Sequence, residues 1–95
     1  MRVLWKKEDI LKLYGSKPSY QNLVISMEEA SELIQSISKL YRFGSSSERI
    51  THLIEEMADV LICFELLKIL YNIPDELINL MITTKMKRNI ERIDK

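Results

Sequence analysis

The sequence predicts an all-α protein with a short N-terminal helix and three longer antiparallel helices, completed into a helical bundle by homo-oligomerisation. Apolar residues recur at steps of three and four over most of the chain, which is the spacing of amphipathic helices. The 2 glycines and 2 prolines all lie between these apolar segments, so they mark helix ends. At 95 residues, 1–95 forms one domain whose modest core favours association with further copies.

The first helix is predicted over residues 7–14, where Ile10, Leu11 and Tyr14 share one helical face. Gly15 follows as a C-terminal stop. Residues 16–19 then form a turn, and Ser19 is placed to cap the helix that follows.

The second helix is predicted from Tyr20 to about Arg42, because neither glycine nor proline interrupts this segment. A stripe of side chains at helical spacing is expected to face the core: Leu23, Met27, Ala30, Ile34, Ile37 and Tyr41. Glu29 and Glu32 fall just beyond the edge of this stripe. Both acids are therefore expected to border the core.

The third helix is predicted from Glu48 to Tyr71, after a break at Gly44 and three serines that can cap it. The connection is short, so the third helix returns antiparallel to the second. Its apolar residues occupy nearly every side, and a helix of this kind is buried on all sides. We therefore expect it to line a homo-oligomer interface.

The fourth helix is predicted to begin after Pro74 and to end at about Ile93. Its character changes along one face. Apolar residues occupy the first half of that face and polar or cationic residues the second: Ile78, Met81 and Ile82, then Lys85, Arg88, Asn89 and Arg92.

Two pairs of acids share a three-residue offset, Glu29 with Glu32 and Glu56 with Asp59. The second pair lies in an apolar segment, where unpaired carboxylates are costly. With a rise of about 1.5 Å per residue, a helical hairpin places all four acids within roughly 8 Å of one another along the axis of the bundle. Lys85 on the last helix is expected at the same height along that axis. Clustered carboxylates suit Mg²⁺ or Mn²⁺, and nearby cations suit a phosphate-bearing substrate.

These residues resemble the MazG-like, all-α nucleoside triphosphate pyrophosphohydrolases. The family pattern is E-x-x-E, then E-x-x-D, then a helix with Lys and Asn four residues apart. It corresponds here to Glu29-Ala30-Ser31-Glu32, Glu56-Met57-Ala58-Asp59 and Lys85-Met86-Lys87-Arg88-Asn89. The resemblance extends over about residues 21–92. Each short motif alone is weak, whereas the ordered set on consecutive helices is specific.

The resemblance implies Mg²⁺-dependent cleavage of a (d)NTP to a (d)NMP and pyrophosphate in nucleotide-pool control or house-cleaning. It implies a homodimer or homotetramer with sites beside the subunit interfaces. Glu29, Glu32, Glu56 and Asp59 are then the metal ligands and catalytic acids, with Mn²⁺ as a substitute metal. Lys85 is a further catalytic residue, and it binds substrate phosphate together with Asn89 and Arg92.

Several other residues leave alternatives open. His52, one turn before Glu56, is either a ligand or phosphate contact or, as we prefer, an exposed side chain that supports the site. Leu4, Trp5 and Tyr14 cover either the nucleotide base or only the end of the bundle. Gln21 is a weak candidate for a nucleotide contact, while Glu28 and Glu55 are expected to be peripheral.

Composition narrows the alternatives. With 14 basic and 14 acidic residues the chain has no net charge to attract nucleic acid or an anionic membrane surface, so neither is an expected partner. The lone Cys63 excludes an internal disulfide and is expected in the core, and the lack of a signal-like segment favours a soluble cytoplasmic protein.

A di-iron carboxylate bundle needs Glu-x-x-His pairs, which are absent. The main competing function is a non-catalytic helical module that binds nucleotides or proteins.

Overall fold

A computed structural model describes residues 6–15 and 17–94. They form four helices and no strand: α1 (Lys7–Tyr14), α2 (Ser19–Phe43), α3 (Ser47–Tyr71) and α4 (Asp75–Ile93). The predicted all-α class is confirmed, and the predicted helix limits agree with these to within a residue. Across these ranges no helix combines the length and apolar character that a membrane span needs.

Local chemistry explains where the helices end. The N–H of Gly15 donates to the carbonyl of Leu11, and a Cβ at position 15 would lie only 2.5 Å from that oxygen. Gly44 ends α2 with φ of 78°, in the region that favours glycine. The hydroxyl of Ser46 accepts a hydrogen bond from the N–H of Arg49 at 3.2 Å and caps α3. The predicted cap at Ser19 is wrong, because Ser19 is already helical and Pro18 precedes the helix without a side-chain cap.

α2 and α3 form an antiparallel hairpin, and α1 packs against α3. The surface that α2 turns toward α3 is largely polar, with Asn22 and Ser36 each only 2% exposed. On α3, Glu56 is buried in the same row as Val60, Cys63 and Leu66. We call this contact zone the α2–α3 seam. The expected burial of Cys63 is confirmed.

Most of the predicted core stripe of α2 lies outside the seam of the single chain, and of its six residues Leu23 alone is half-buried. Ile34 is 67% exposed and Tyr41 is 90% exposed. The expectation that α3 is buried on all sides also fails here, since Met57 and Phe64 are about half exposed. One neighbouring helix covers only one arc of a helix surface. On α2 that arc holds acids and small polar residues beside the half-buried Leu33 and Leu40, and on α3 it holds Glu56 with apolar neighbours. The other apolar residues of both helices face outward.

α4 packs along none of the other helices. Its beginning is attached to α3 by Lys68, whose ammonium group contacts the carboxylates of Glu65 and Asp75. Beyond that point no side chain of α4 is buried, and Leu80 and Met81 are 63% and 56% exposed. A helix with so many exposed apolar residues has an uncovered face.

Candidate metal centre

Three acids meet in the α2–α3 seam. One carboxylate oxygen from each of Glu29, Glu32 and Glu56 lies within 4.8 Å of the other two. The three-residue offset places Glu29 and Glu32 on one face of α2, and the hairpin brings Glu56 of α3 opposite them. Glu56 is buried, Glu29 is half-buried and Glu32 is exposed. The cluster is therefore closed at one side and open to solvent at the other.

Two oxygens of the cluster have no hydrogen-bond partner. They are Oε2 of Glu29 and Oε2 of Glu56, and both are buried. A buried carboxylate oxygen without a partner is unfavourable, and native structures rarely leave one in this state. A cation between the three acids would satisfy both oxygens. The donor set thus fits a metal ion by its own geometry.

The pKa values of two of these acids are raised above their ordinary value. Burial raises the pKa of Glu29 first, and the charges of Asp59 and Glu32 raise it further. Burial also raises the pKa of Glu56 first, followed by the charge of Glu32, while His52 acts in the opposite direction. Carboxylates at such separations repel one another, and a bound cation relieves that repulsion.

Asp59 lies beside this cluster rather than within the group of three oxygens. Its charge contributes to the raised pKa of both Glu29 and Glu56. The structure therefore places the fourth predicted acid close enough to act on Glu29 and Glu56. Together, these residues can supply oxygen ligands from two helices.

The inner end of the seam is neutral. Burial raises the pKa of the Cys63 thiol, and the charges of Glu29 and Asp59 raise it further, so the thiol stays protonated at neutral pH. Tyr14 of α1 also has a raised pKa, caused by burial and then by the charges of Cys63, Glu29 and Asp59. The donors are carboxylate oxygens, which suit hard cations.

The predicted phosphate-binding residues are not brought to the acids within one chain. Lys85, Asn89 and Arg92 are exposed on α4, which stands away from the seam. Gln21, Glu28 and Glu55 are exposed as well. Leu4 and Trp5, two of the three residues expected to cover the nucleotide base or the end of the bundle, lie outside the described residues. The third, Tyr14, is half-buried.

His52 contacts the cluster from its solvent side. Its Nε2 lies 3.4 Å from Oε1 of Glu56, and its side chain is 47% exposed. This contact agrees with the preferred alternative, an exposed histidine that supports a carboxylate. The other oxygen of Glu56, Oε2, is buried and has no hydrogen-bond partner.

Sequence reasoning missed the row of polar residues that lines the seam. Asn22, Glu29 and Ser36 are spaced by seven, with Ser26 between the first two. Asn22 donates from Nδ2 to the carbonyl of Tyr14 at 3.4 Å, and its Oδ1 is buried without a partner. The heptad spacing was visible in the sequence, and it marks the face of α2 that packs against α3.

A second recess, of about 410 Å³, lies at the corner between α3 and α4. Its walls include Glu65, Lys68 and Asp75, and these charged groups already pair with one another. Because these three charged groups are already paired, the acid cluster is the better candidate for a functional site than this recess.

Comparison of the chain with protein-family models, curated proteins and solved structures gave no match.

Proposed function

We propose that the protein is a Mg²⁺-dependent nucleoside triphosphate pyrophosphohydrolase that cleaves a (d)NTP to a (d)NMP and pyrophosphate. The observation that carries the proposal is the group of three converging carboxylates with two buried, unpartnered oxygens. The motif resemblance supplies the substrate class. Glu29, Glu32, Glu56 and Asp59 are the proposed metal ligands, and Mn²⁺ is a substitute.

A magnesium ion held by these acids would supply charge neutralisation for the phosphates and acidify bound water. Hydrolysis forms a bond from a water oxygen to the α-phosphorus and breaks the bond to the bridging oxygen, which leaves with pyrophosphate. The chain's own contribution is to hold the acids in place from two packed helices. Glu56 lies on the buried side of the cluster, and the exposed Glu32 lies on the side from which the substrate is proposed to approach.

We also propose that the active form is a homo-oligomer, at least a homodimer. The single chain exposes 7871 Å², whereas a folded monomer of 11.2 kDa exposes about 5,700 Å² by the usual mass scaling. The excess is about 2,200 Å² per chain. Two such surfaces together match the range of about 2,000–5,000 Å² buried in obligate dimers.

The shape of the chain supports the same proposal. Its radius of gyration is 16.2 Å, against about 12 Å for a compact domain of this length. The outward apolar arcs of α2 and α3 and the uncovered face of α4 are the surfaces that a second copy would bury. In such an assembly α4 of either chain can carry Lys85, Asn89 and Arg92 to the acids, where they are proposed to bind substrate phosphate.

The test is a panel of canonical and modified dNTPs and NTPs, incubated with Mg²⁺ or Mn²⁺ and analysed for monophosphate and pyrophosphate. We expect metal-dependent formation of both products from at least one member. Lys85→Met should raise the KM of that substrate, because it removes a proposed phosphate contact. A folded, metal-bound protein that releases neither product from any member refutes the hydrolase and favours the non-catalytic nucleotide- or protein-binding module.

A further inference from the structure

A pocket lined mainly by cationic and small polar side chains adjoins the acid cluster. Its volume is about 170 Å³, and it lies between α2 and α3 on the side nearest the hairpin connection. Five residues line it: Ser36, Lys39, Glu48, Arg49 and His52. His52 also contacts Glu56, so this one side chain joins the pocket to the acids. The sequence motifs assign no role to the pocket.

The pocket exists because Ser36 is small. Ser36 is 2% exposed and occupies the seam one helical turn beyond Glu32. A larger side chain there would fill the space between the helices. One turn further along α2, Lys39 lines the pocket on the same helix, and Glu48, Arg49 and His52 line it from α3. The pocket therefore begins about one turn, roughly 5 Å, from the carboxylates.

The charge of the lining is positive. Lys39 and Arg49 are cationic, His52 is a hydrogen-bond donor or acceptor, and Glu48 is the one acid. Neither Lys39 nor Arg49 forms a salt bridge within the described ranges. Arg49 is fixed in place, because its Nη1 donates to the carbonyls of Phe43 and Gly44 at 3.0 Å each. Lys39 has an ammonium group available for a ligand.

The volume of the pocket indicates which kind of ligand it can hold. Pockets for whole small molecules usually measure about 300–1,000 Å³, so 170 Å³ suits a fragment such as a phosphate or pyrophosphate group. An anion also fits the neighbourhood, since cations beside a metal site commonly bind the phosphates that the metal bridges. We infer that this pocket holds the terminal phosphates of the nucleotide, with Lys39 as the main contact and the Ser36 and His52 side chains beside it.

This inference rests on the proposed function for the identity of the anion, but its test does not require turnover. Inorganic pyrophosphate with Mg²⁺ is titrated into the 95-residue chain by calorimetry at constant ionic strength. Lys39→Met should weaken pyrophosphate binding by about tenfold or more, the value of one hydrogen bond to a charged group. Lys39→Arg should retain most of the affinity, because it keeps the charge and the donors.

The matched control is Lys12→Met, which removes an equivalent exposed charge from α1. Binding equal to that of the wild type is expected. Three results overturn the pocket: no pyrophosphate binding by the wild type, unchanged binding in Lys39→Met, or an equal loss in Lys12→Met. Lys39-dependent binding without nucleotide hydrolysis supports the pocket and refutes the hydrolase. Nucleotide hydrolysis together with pyrophosphate binding that does not depend on Lys39 supports the hydrolase and refutes the pocket.

Discussion

Substitution of Met81 by aspartate should dissociate the proposed homo-oligomer. Met81 is 56% exposed on the uncovered face of α4. Full burial of a methionine side chain stabilises by about 1.5–3 kcal/mol, so about half of this remains to be gained at each copy. A symmetric dimer contains the site twice, which gives about 1.5–3 kcal/mol per dimer from apolar burial alone. The dissociation constant should therefore rise by about 10- to 100-fold, and the buried aspartate adds to this.

Analytical ultracentrifugation over a range of concentrations measures the effect. The wild type should sediment as a dimer or a larger multiple of the 11.2 kDa chain. Met81→Leu is the matched control and should associate like the wild type, because it conserves volume and apolar character. A wild type that remains an 11.2 kDa monomer at all concentrations refutes the oligomer. Equal association of Met81→Asp and the wild type refutes the part assigned to α4.

Three further predictions concern stability. Without metal, the pKa of Glu29 is higher in the folded state than in the unfolded state, where it is near 4.5. The folded state therefore keeps the proton of Glu29 to a higher pH than the unfolded state does. The contribution of this proton to stability is fully present below pH 4.5 and is lost as pH rises through the folded pKa. In chelator, Glu29→Gln should therefore gain in melting temperature relative to the wild type as pH rises above 4.5, and a constant difference would contradict this cause. Mg²⁺ at about 100 times its Kd should stabilise the wild type by about 2.7 kcal/mol, or roughly 10–20 °C, and should not shift Glu56→Gln comparably. Ser46→Ala should cost about 1 kcal/mol in chemical denaturation because it removes the cap of α3, whereas Ser45→Ala should cost under about 0.5 kcal/mol; equal effects would contradict the cap.

The helices and the meeting of the acids could be predicted because both depend on local spacing. Gly15, Gly44 and Pro74 lie at helix boundaries as expected. The three-residue offset of Glu29 and Glu32 determines that they share a face, and the short connection determines that α3 returns beside α2. Helical rise then places Glu56 near both of them, and one carboxylate oxygen of each of the three acids does lie within 4.8 Å of the other two.

The orientation of α2 could not be predicted from its apolar stripe. Ile34 and Tyr41 share helical spacing, but spacing does not say whether a stripe faces the same chain or a second copy. In this chain the seam takes Asn22, Glu29 and Ser36 instead. A rule that places apolar residues inside therefore fails on the part of α2 that carries the acid cluster. The position of α4 could not be predicted either, because its apolar spacing does not show that it packs along none of the other helices.

The most direct test of the proposed hydrolase is to identify the products of a preferred nucleotide by ³¹P NMR with wild-type protein and with Glu56→Gln. Glutamine keeps the shape of the buried side chain and removes its charge. With Mg²⁺ the wild type should form monophosphate and pyrophosphate in equal amounts, and Glu56→Gln should lose this activity while remaining folded and oligomeric. Formation of diphosphate and inorganic phosphate, or undiminished activity in Glu56→Gln, would contradict the proposed reaction and its site.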